Sequence, residues 1–242
     1  MLDQDAVIPL YVQLMNEIER EIEQGTYRPG DKILTGAEMA KAYGVSLITV
    51  QKAVRSLVEK GLVIRKQGKG TFVTKPKLAR NMKKLQSFSE ICEQVGMKPG
   101  AKMLENRLAD ADKKTAQSLG VGQGSKVVYI SRLRYADQEP VQIEKNYFPL
   151  KYAFLLNAKF DDNSLFDFLK EQSGLRVVSS EKMIELCHAT SEEAAYLEIR
   201  KGSPLLFVRS TAFDAAGDPL YAGTQIINGD RFSLYVYETL GE

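Results

Sequence analysis

Arg132 and Arg134 lie two residues apart in a β-prone run that also carries Val128 and Ile130. Side chains two apart on a strand share one face, so both guanidinium groups are expected on the side that the valine and isoleucine bury. Buried arginines without a counter-charge are costly. Glu144, on the return strand, supplies one in a purely structural network. An anionic ligand supplies it in a functional one, because paired guanidinium groups grip phosphate or carboxylate oxygens through charge-assisted hydrogen bonds. Nothing comparable points to catalysis or a metal. The one histidine, His188, stands without a second, Cys92 and Cys187 lack paired spacing, and no nucleophile stands out beside a base. No catalytic residue, metal site or cofactor is therefore expected.

Such a pair needs a fold to hold it. With 242 residues, 44% of them hydrophobic, the chain is long enough for two modest cores. It has no apolar run of the ~18 residues that a membrane span needs, and Met1 to Ala6 is acidic, unlike a secretory leader. The expectation is a cytoplasmic protein with no membrane partner. The net charge of +2 hides an uneven distribution: Lys41 to Lys84 carries twelve Lys or Arg and one acid, Glu59, which leaves the remainder at −9. A basic block on an otherwise acidic chain reads as a nucleic-acid-binding module attached to one that binds none.

That block sits in a recognisable order of elements. Leu10, Leu14, Ile18 and Ile22 form one apolar stripe, with Glu17, Glu19, Glu21 and Glu23 facing water, and Gly25 ends this first helix. Thr35-Gly36-Ala37-Glu38 has the form of a capping box for a short second helix ending at Gly44. Ser46 is the N-cap of a third, with Val45 packing on Val50. Val50, Val54 and Leu57 point inward, leaving Leu47, Gln51, Lys52 and Arg55 outward on a helix that runs to about Lys60 and stops at Gly61. This is a helix-turn-helix whose outward residues face a major groove. Leu62 to Lys66 and Thr71 to Val73 then flank Gln67-Gly68-Lys69-Gly70, a hairpin whose tip lets a cation and bare backbone approach phosphates or a minor groove.

The order resembles the GntR family of bacterial regulators. The matching residues are Pro9-Leu10-Tyr11, Gly25 with Pro29-Gly30, Val45-Ser46 with Thr49-Val50, Gly61-Leu62-Val63, and Gly68-Lys69-Gly70-Thr71-Phe72-Val73. The resemblance implies a winged helix-turn-helix that binds double-stranded operator DNA as a homodimer through Thr35, Ser46, Leu47, Thr49, Gln51, Lys52, Arg55, Gly68, Lys69 and Gly70. Gly36 and Ala37 stand where the family has Glu-Arg, and Leu47 and Gln51 stand where it has arginines. Arginine reads guanine bidentately, glutamine suits adenine, and leucine meets only a thymine methyl. Either the half-site is shifted toward A/T, or binding is weakened and rests mainly on phosphate contacts.

Thr74 to Leu85 is basic and opens with Lys75-Pro76-Lys77, a composition break. Beyond it, Ser89 is expected to cap a helix leading to Gly96, and Ser164 one spanning Leu165 to Gln172. Residues 111–128 repeat at 189–206: Ala111 with Ala189, Ala116 with Ala194, Leu119 with Leu197, Gly124 with Gly202, Ser125 with Ser203. The match continues to Pro140 and Pro219, so each copy reads as helix, Gly turn, strand, hairpin, strand. Two copies build one antiparallel sheet with helices on a face. In the second copy the paired arginines become Ser210 and Ala212, and Tyr147, Phe148, Tyr235 and Tyr237 read as packing or surface.

Residues 80–240 resemble the UTRA ligand-binding domain of HutC-type regulators. The landmarks are Ser87-Phe88-Ser89-Glu90, Gly96-Met97-Lys98-Pro99, Arg132-Leu133-Arg134, Glu139-Pro140, Gly202-Ser203-Pro204-Leu205-Leu206, Asp218-Pro219-Leu220 and Gly229-Asp230-Arg231-Phe232. The resemblance implies a chorismate-lyase-like fold and release of operator when a small anionic metabolite binds. In the family's sugar-phosphate sensors, positions matching Ser89, Arg132, Arg134 and Ser164 hold the phosphate, with Glu144 and Tyr221 near the organic part. Phe166 and Asn228 depart from that pattern, so effector identity does not carry across. Helix-capping is the structural reading of Ser164.

The expected fold class is therefore α+β: a winged helix-turn-helix over residues 1–74, a linker at 75–85, and an antiparallel-sheet effector domain over 86–242. Two other functions compete with a metabolite-responsive repressor. A lyase-like enzyme follows from the fold resemblance, and a sensor with weakened DNA binding follows from the missing arginines.

Overall fold

A computed structural model describes residues 2–3, 6–66, 68–158 and 164–238. The chain divides into two compact units, Met1–Pro76 and Lys77–Glu242. In the first, α1 (Leu10–Glu23) buries Leu14, Met15 and Ile18. α2 (Gly36–Tyr43) opens with the capping box: Thr35 N donates to Glu38 Oε2 at 2.7 Å and Glu38 N donates to Thr35 Oγ1 at 3.4 Å. Gly44 closes the helix in the left-handed conformation. α3 (Leu47–Glu59) starts where Thr49 N donates to Ser46 Oγ at 3.1 Å, and it buries Val50, Ala53, Val54 and Leu57. β1 (Val63–Lys66) and β2 (Gly70–Val73) form an antiparallel hairpin. Lys69 N donates to Lys66 O at 3.0 Å in its turn, and Gly68 and Gly70 take positive φ. Gln67, read as part of that turn, lies outside the described residues. The helices and Val63 and Val73 of the hairpin share one core. Glu19 and Glu21, expected to face water, instead tie helices together. Lys60 donates to Glu19 at 2.7 Å, and the Tyr43 hydroxyl donates to Glu21 at 3.0 Å.

The second unit opens with β3 (Leu78–Asn81) and α4 (Phe88–Gln94), then continues through β4 (Pro99–Asp110), α5 (Lys113–Leu119), β5 (Lys126–Ala136) and β6 (Glu139–Pro149). A 3-10 segment, Leu150–Asn157, precedes α6 (Leu165–Ser173). The chain then runs through β7 (Ser179–His188), α7 (Ser191–Leu197), β8 (Pro204–Phe213), β9 (Pro219–Asn228) and β10 (Phe232–Tyr235). Residues 78–81, read in the sequence as part of a linker, are a strand: β3 pairs in parallel with β10, and Leu78 is fully buried. Leu78 and Arg80 share its buried face, and only the Lys-Pro-Lys composition suggests a free segment.

The repeat is realised as a six-stranded antiparallel sheet of order β4-β5-β6-β9-β8-β7, so the two copies meet at the central β6–β9 pair. Each copy also contributes an edge strand, β4 or β7, that the repeat did not reveal. Edge strands are half solvated, and their sequences carry charges without an apolar alternation to betray them. β6 and β9 carry bulges at equivalent places, Val141 opposite Arg134/Tyr135 and Leu220 opposite Ala212/Phe213. α5 packs on β9 and α7 on β6, each helix crossing to the other copy's strand. The opposite face is covered by the 3-10 segment and α6, and by α4 with the β3–β10 pair.

The two copies end their short helices differently. Gly120 caps α5 in the left-handed region at φ 65°, and Glu198 takes the same conformation after α7 at φ 53°. Left-handed backbone penalises a β-carbon. Glu198→Gly is therefore expected to raise stability by about 1 kcal/mol, read from the midpoint of urea unfolding; an unchanged or lower midpoint contradicts the assignment of strain.

Candidate functional site

Arg132 and Arg134 point to the buried side of β5, as their spacing requires; each is 2% exposed. The strand register sets Arg132 directly opposite Glu144 of β6. Arg132 Nη2 donates to Glu144 Oε2 at 2.7 Å, Arg134 Nη1 to the same oxygen at 3.5 Å, and Gln142 Nε2 to Glu144 Oε1 at 2.7 Å. Burial alone would raise the Glu144 carboxyl, but Arg134 and Arg132 outweigh it and hold the group below the usual carboxylate range. Burial lowers the Arg132 guanidinium, with Glu144 opposing. One carboxylate thus serves two buried arginines.

Ser89 does not cap α4. The cap is Ser87, whose hydroxyl accepts from Glu90 N at 3.2 Å while Ser87 N donates to Glu90 Oε2 at 2.6 Å. Ser87 has Glu90 three residues on to complete a capping box, whereas Ser89 has Cys92. The cap at Ser87 places Ser89 inside the helix, free to accept from Arg134 Nη2 at 3.3 Å. Arg134 also lies 4.7 Å above the Phe88 ring. Ser164 does cap α6, accepting from Asp167 N at 3.3 Å; it is buried, and the first residues of the helix, Leu165 to Asp167, line the cavity described next.

A cavity of about 260 Å³ opens beside the arginines, walled by Arg132, Arg134, Glu144 and Tyr221 together with α6 and the segment before α4. That is just below the usual range of small-molecule sites. Tyr221 packs edge-on to Phe166, ring centroids 6.1 Å apart, and burial raises its phenol. Two wall residues escaped the sequence reading. Arg80, from the supposed linker, is 7% exposed and donates to Gln225 Oε1 at 3.2 Å and Gln86 O at 2.8 Å. Lys182 enters from β7. Neither carries a local signal: a composition break surrounds Arg80, and Lys182 sits on a largely solvated edge strand.

The second copy shows what this half gave up. Ser210 faces Gly223 across β8 and β9 as Arg132 faces Glu144 across β5 and β6. A β-carbon at Gly223 would come within 2.8 Å of Lys145 O. Elsewhere, burial raises the Cys92 thiol to about 12, as expected of a structural cysteine. No group of three or more His, Cys, Asp or Glu able to hold a metal occurs among the described residues, and no helix among them is long and apolar enough to cross a membrane.

On the first unit, α3 presents Leu47, Gln51, Lys52 and Arg55 to solvent, joined by Ile48, which the sequence reading passed over and which is 66% exposed. Arg55 Nε donates to Glu59 at 3.0 Å. Thr35, Ser46 and Thr49 are engaged in helix-start hydrogen bonds, the last through a 2.9 Å contact between the Ser46 and Thr49 hydroxyls. Lys69 is exposed at the tip of the hairpin, between Gly68 and Gly70.

Residues 10–73 match the family model for bacterial regulatory proteins of the gntR family, and residues 94–233 match that of the UTRA domain. The HTH-type transcriptional repressor NagR of Bacillus subtilis (strain 168) is 31% identical over 98% of this chain and 97% of its own. The probable fructoselysine utilization operon transcriptional repressor of Escherichia coli (strain K12) is 30% identical over 94% of this chain and 93% of its own. In fold, the crystal structure of PhnF from Mycobacterium smegmatis aligns with a TM-score of 0.69 at 24% identity, covering 94% of this chain and 100% of that one.

Proposed function

Because the chain belongs to the GntR family of bacterial regulatory proteins and carries a UTRA domain, we propose that it is a cytoplasmic, homodimeric repressor that leaves its operator when a small anionic metabolite binds. It is a transcription regulator and not an enzyme. The observation that carries the finer reading is the pair of buried arginines sharing one carboxylate on a cavity wall. A phosphoryl or carboxylate group entering there meets two guanidinium groups already stripped of water. The relatives named as repressors support the direction of control. Ligand capture reorients the two heads of the dimer so that half-site spacing no longer fits.

The test is a thermal-shift screen of the full chain against phosphorylated sugars, carboxylates and neutral sugars, followed by gel retardation on its own upstream region. Anions that raise the melting temperature are expected to release DNA. Stabilisation by neutral sugars alone defeats the anion reading.

At the DNA head, Leu47 and Gln51 favour thymine methyl and adenine contacts. Leu47→Arg is expected to shift a selected half-site toward guanine, with about 1–3 kcal/mol of discrimination at one base pair. Selection of the same site by both proteins would place Leu47 away from the bases, and binding without any preferred site would make the head a phosphate-contact module.

A further inference from the structure

We infer that the effector cavity has a second anion-binding pole, formed by Arg80 and Lys182, so that the effector class is a phosphorylated metabolite bearing another acidic group. This rests on the reading of Arg132 and Arg134 as an anion-binding pair and adds to it.

Three observations place the second pole. Arg80 is buried, yet its hydrogen-bond partners are neutral oxygens, and among the described residues it makes no ion pair. A buried guanidinium with only neutral acceptors carries an unbalanced charge. Lys182 enters the same cavity from the opposite edge strand, and among the described residues it makes neither hydrogen bond nor ion pair. Burial, with Arg80 nearby, pushes its ammonium down to about 8, against a smaller opposing pull from Glu144. A lone structural lysine has no reason to remain in such a place, since a (CH₂)₄ stem ordinarily carries its charge out to water.

The two poles are distinct but within one ligand's reach. The cross-strand row containing Arg132 continues to Glu144 and then to Gln225, the residue that accepts from Arg80. Glu144 and Gln225 therefore stand between the poles, and the one buried carboxylate among the described residues of the group is committed to the first. Lys182 lies four strands from Arg132, roughly 19 Å at about 4.8 Å per strand, and both long side chains line the cavity between. Its neighbours across β8 and β9 are Ser210 and Gly223, with the neutral Asn146 side chain lying over Gly223, so no acidic group stands in that row. A six-carbon chain with an acidic group at each end has the span to touch both.

Calorimetry on the full chain tests this with probes matched in length: sorbitol 6-phosphate, with one acidic group; 6-phosphogluconate, with a carboxylate at the far end; and fructose 1,6-bisphosphate, with a second phosphoryl group. At least one of the doubly acidic probes is expected to bind tenfold or more tightly than sorbitol 6-phosphate, and which one does so identifies the second group. Arg80→Gln, which retains hydrogen-bonding capacity, and Lys182→Met should each erase that advantage while leaving the sorbitol 6-phosphate affinity within a factor of two or three. Equal affinity for all three probes in the wild type overturns the second pole and leaves the first standing. Binding of none of them, or binding indifferent to Arg132→Ala, overturns both. An advantage that survives both Arg80→Gln and Lys182→Met places the second group elsewhere and also overturns the assignment.

Discussion

Glu144→Met is expected to lower the stability of the ligand-free protein by about 3–5 kcal/mol, because it removes the carboxylate that two buried guanidinium groups share. For a unit of this size about 2–4 °C is lost per kcal/mol, so the melting temperature should fall by roughly 10 °C. Millimolar phosphate should restore part of the loss, since the incoming anion replaces the missing charge. Replacing Arg132, Arg134 and Glu144 together with apolar residues of similar volume should cost far less than removing the glutamate alone. The acid limb has a defined sign. The Glu144 carboxyl is held below its ordinary range, so its contribution is complete above the unfolded pKa and is lost only as pH falls through the lower folded value. A melting temperature unchanged in Glu144→Met would mean that the arginines are neutralised by other groups.

Arg132→Ala is expected to weaken effector binding about 100-fold or more, from the loss of a desolvated, charge-assisted contact worth roughly 2–5 kcal/mol. Operator release at a fixed effector concentration should disappear with it. Arg132 is among the largest fully buried side chains, so packing is lost too. Operator affinity without effector, measured on the same preparation, separates the two contributions. If both affinities fall together, the residue holds the domain rather than the ligand; if effector affinity is unchanged, the anion sits elsewhere.

How much of this was visible in the sequence depended on whether a signal was local. Thr35 with Glu38, Ser46, Gly44 and Gly61 declared the head because caps and stops act within one turn, and the structure realises each. Arg132, Arg134 and Glu144 were legible because strand alternation fixes a face and a hairpin fixes a partner. Ser89 was misassigned by two residues, as the competing cap at Ser87 differs only in having Glu90 at the third helical position. Arg80 and Lys182 were missed because their surroundings come from afar: Arg80 meets Gln225, and Lys182 shares the cavity with residues of strands far along the chain. No local pattern carries pairings of that separation.

The paired copies also bear on stoichiometry. The sheet is built twice over, with matching bulges and crossed helices, and such symmetry would ordinarily offer two equivalent seats. Position by position, however, Arg132, Arg134 and Glu144 are answered by Ser210, Ala212 and Gly223. A doubled scaffold that keeps the arginine pair and its carboxylate on one side alone has one seat per chain. The half without that trio is no second receptor, so saturation should come at a single equivalent of effector.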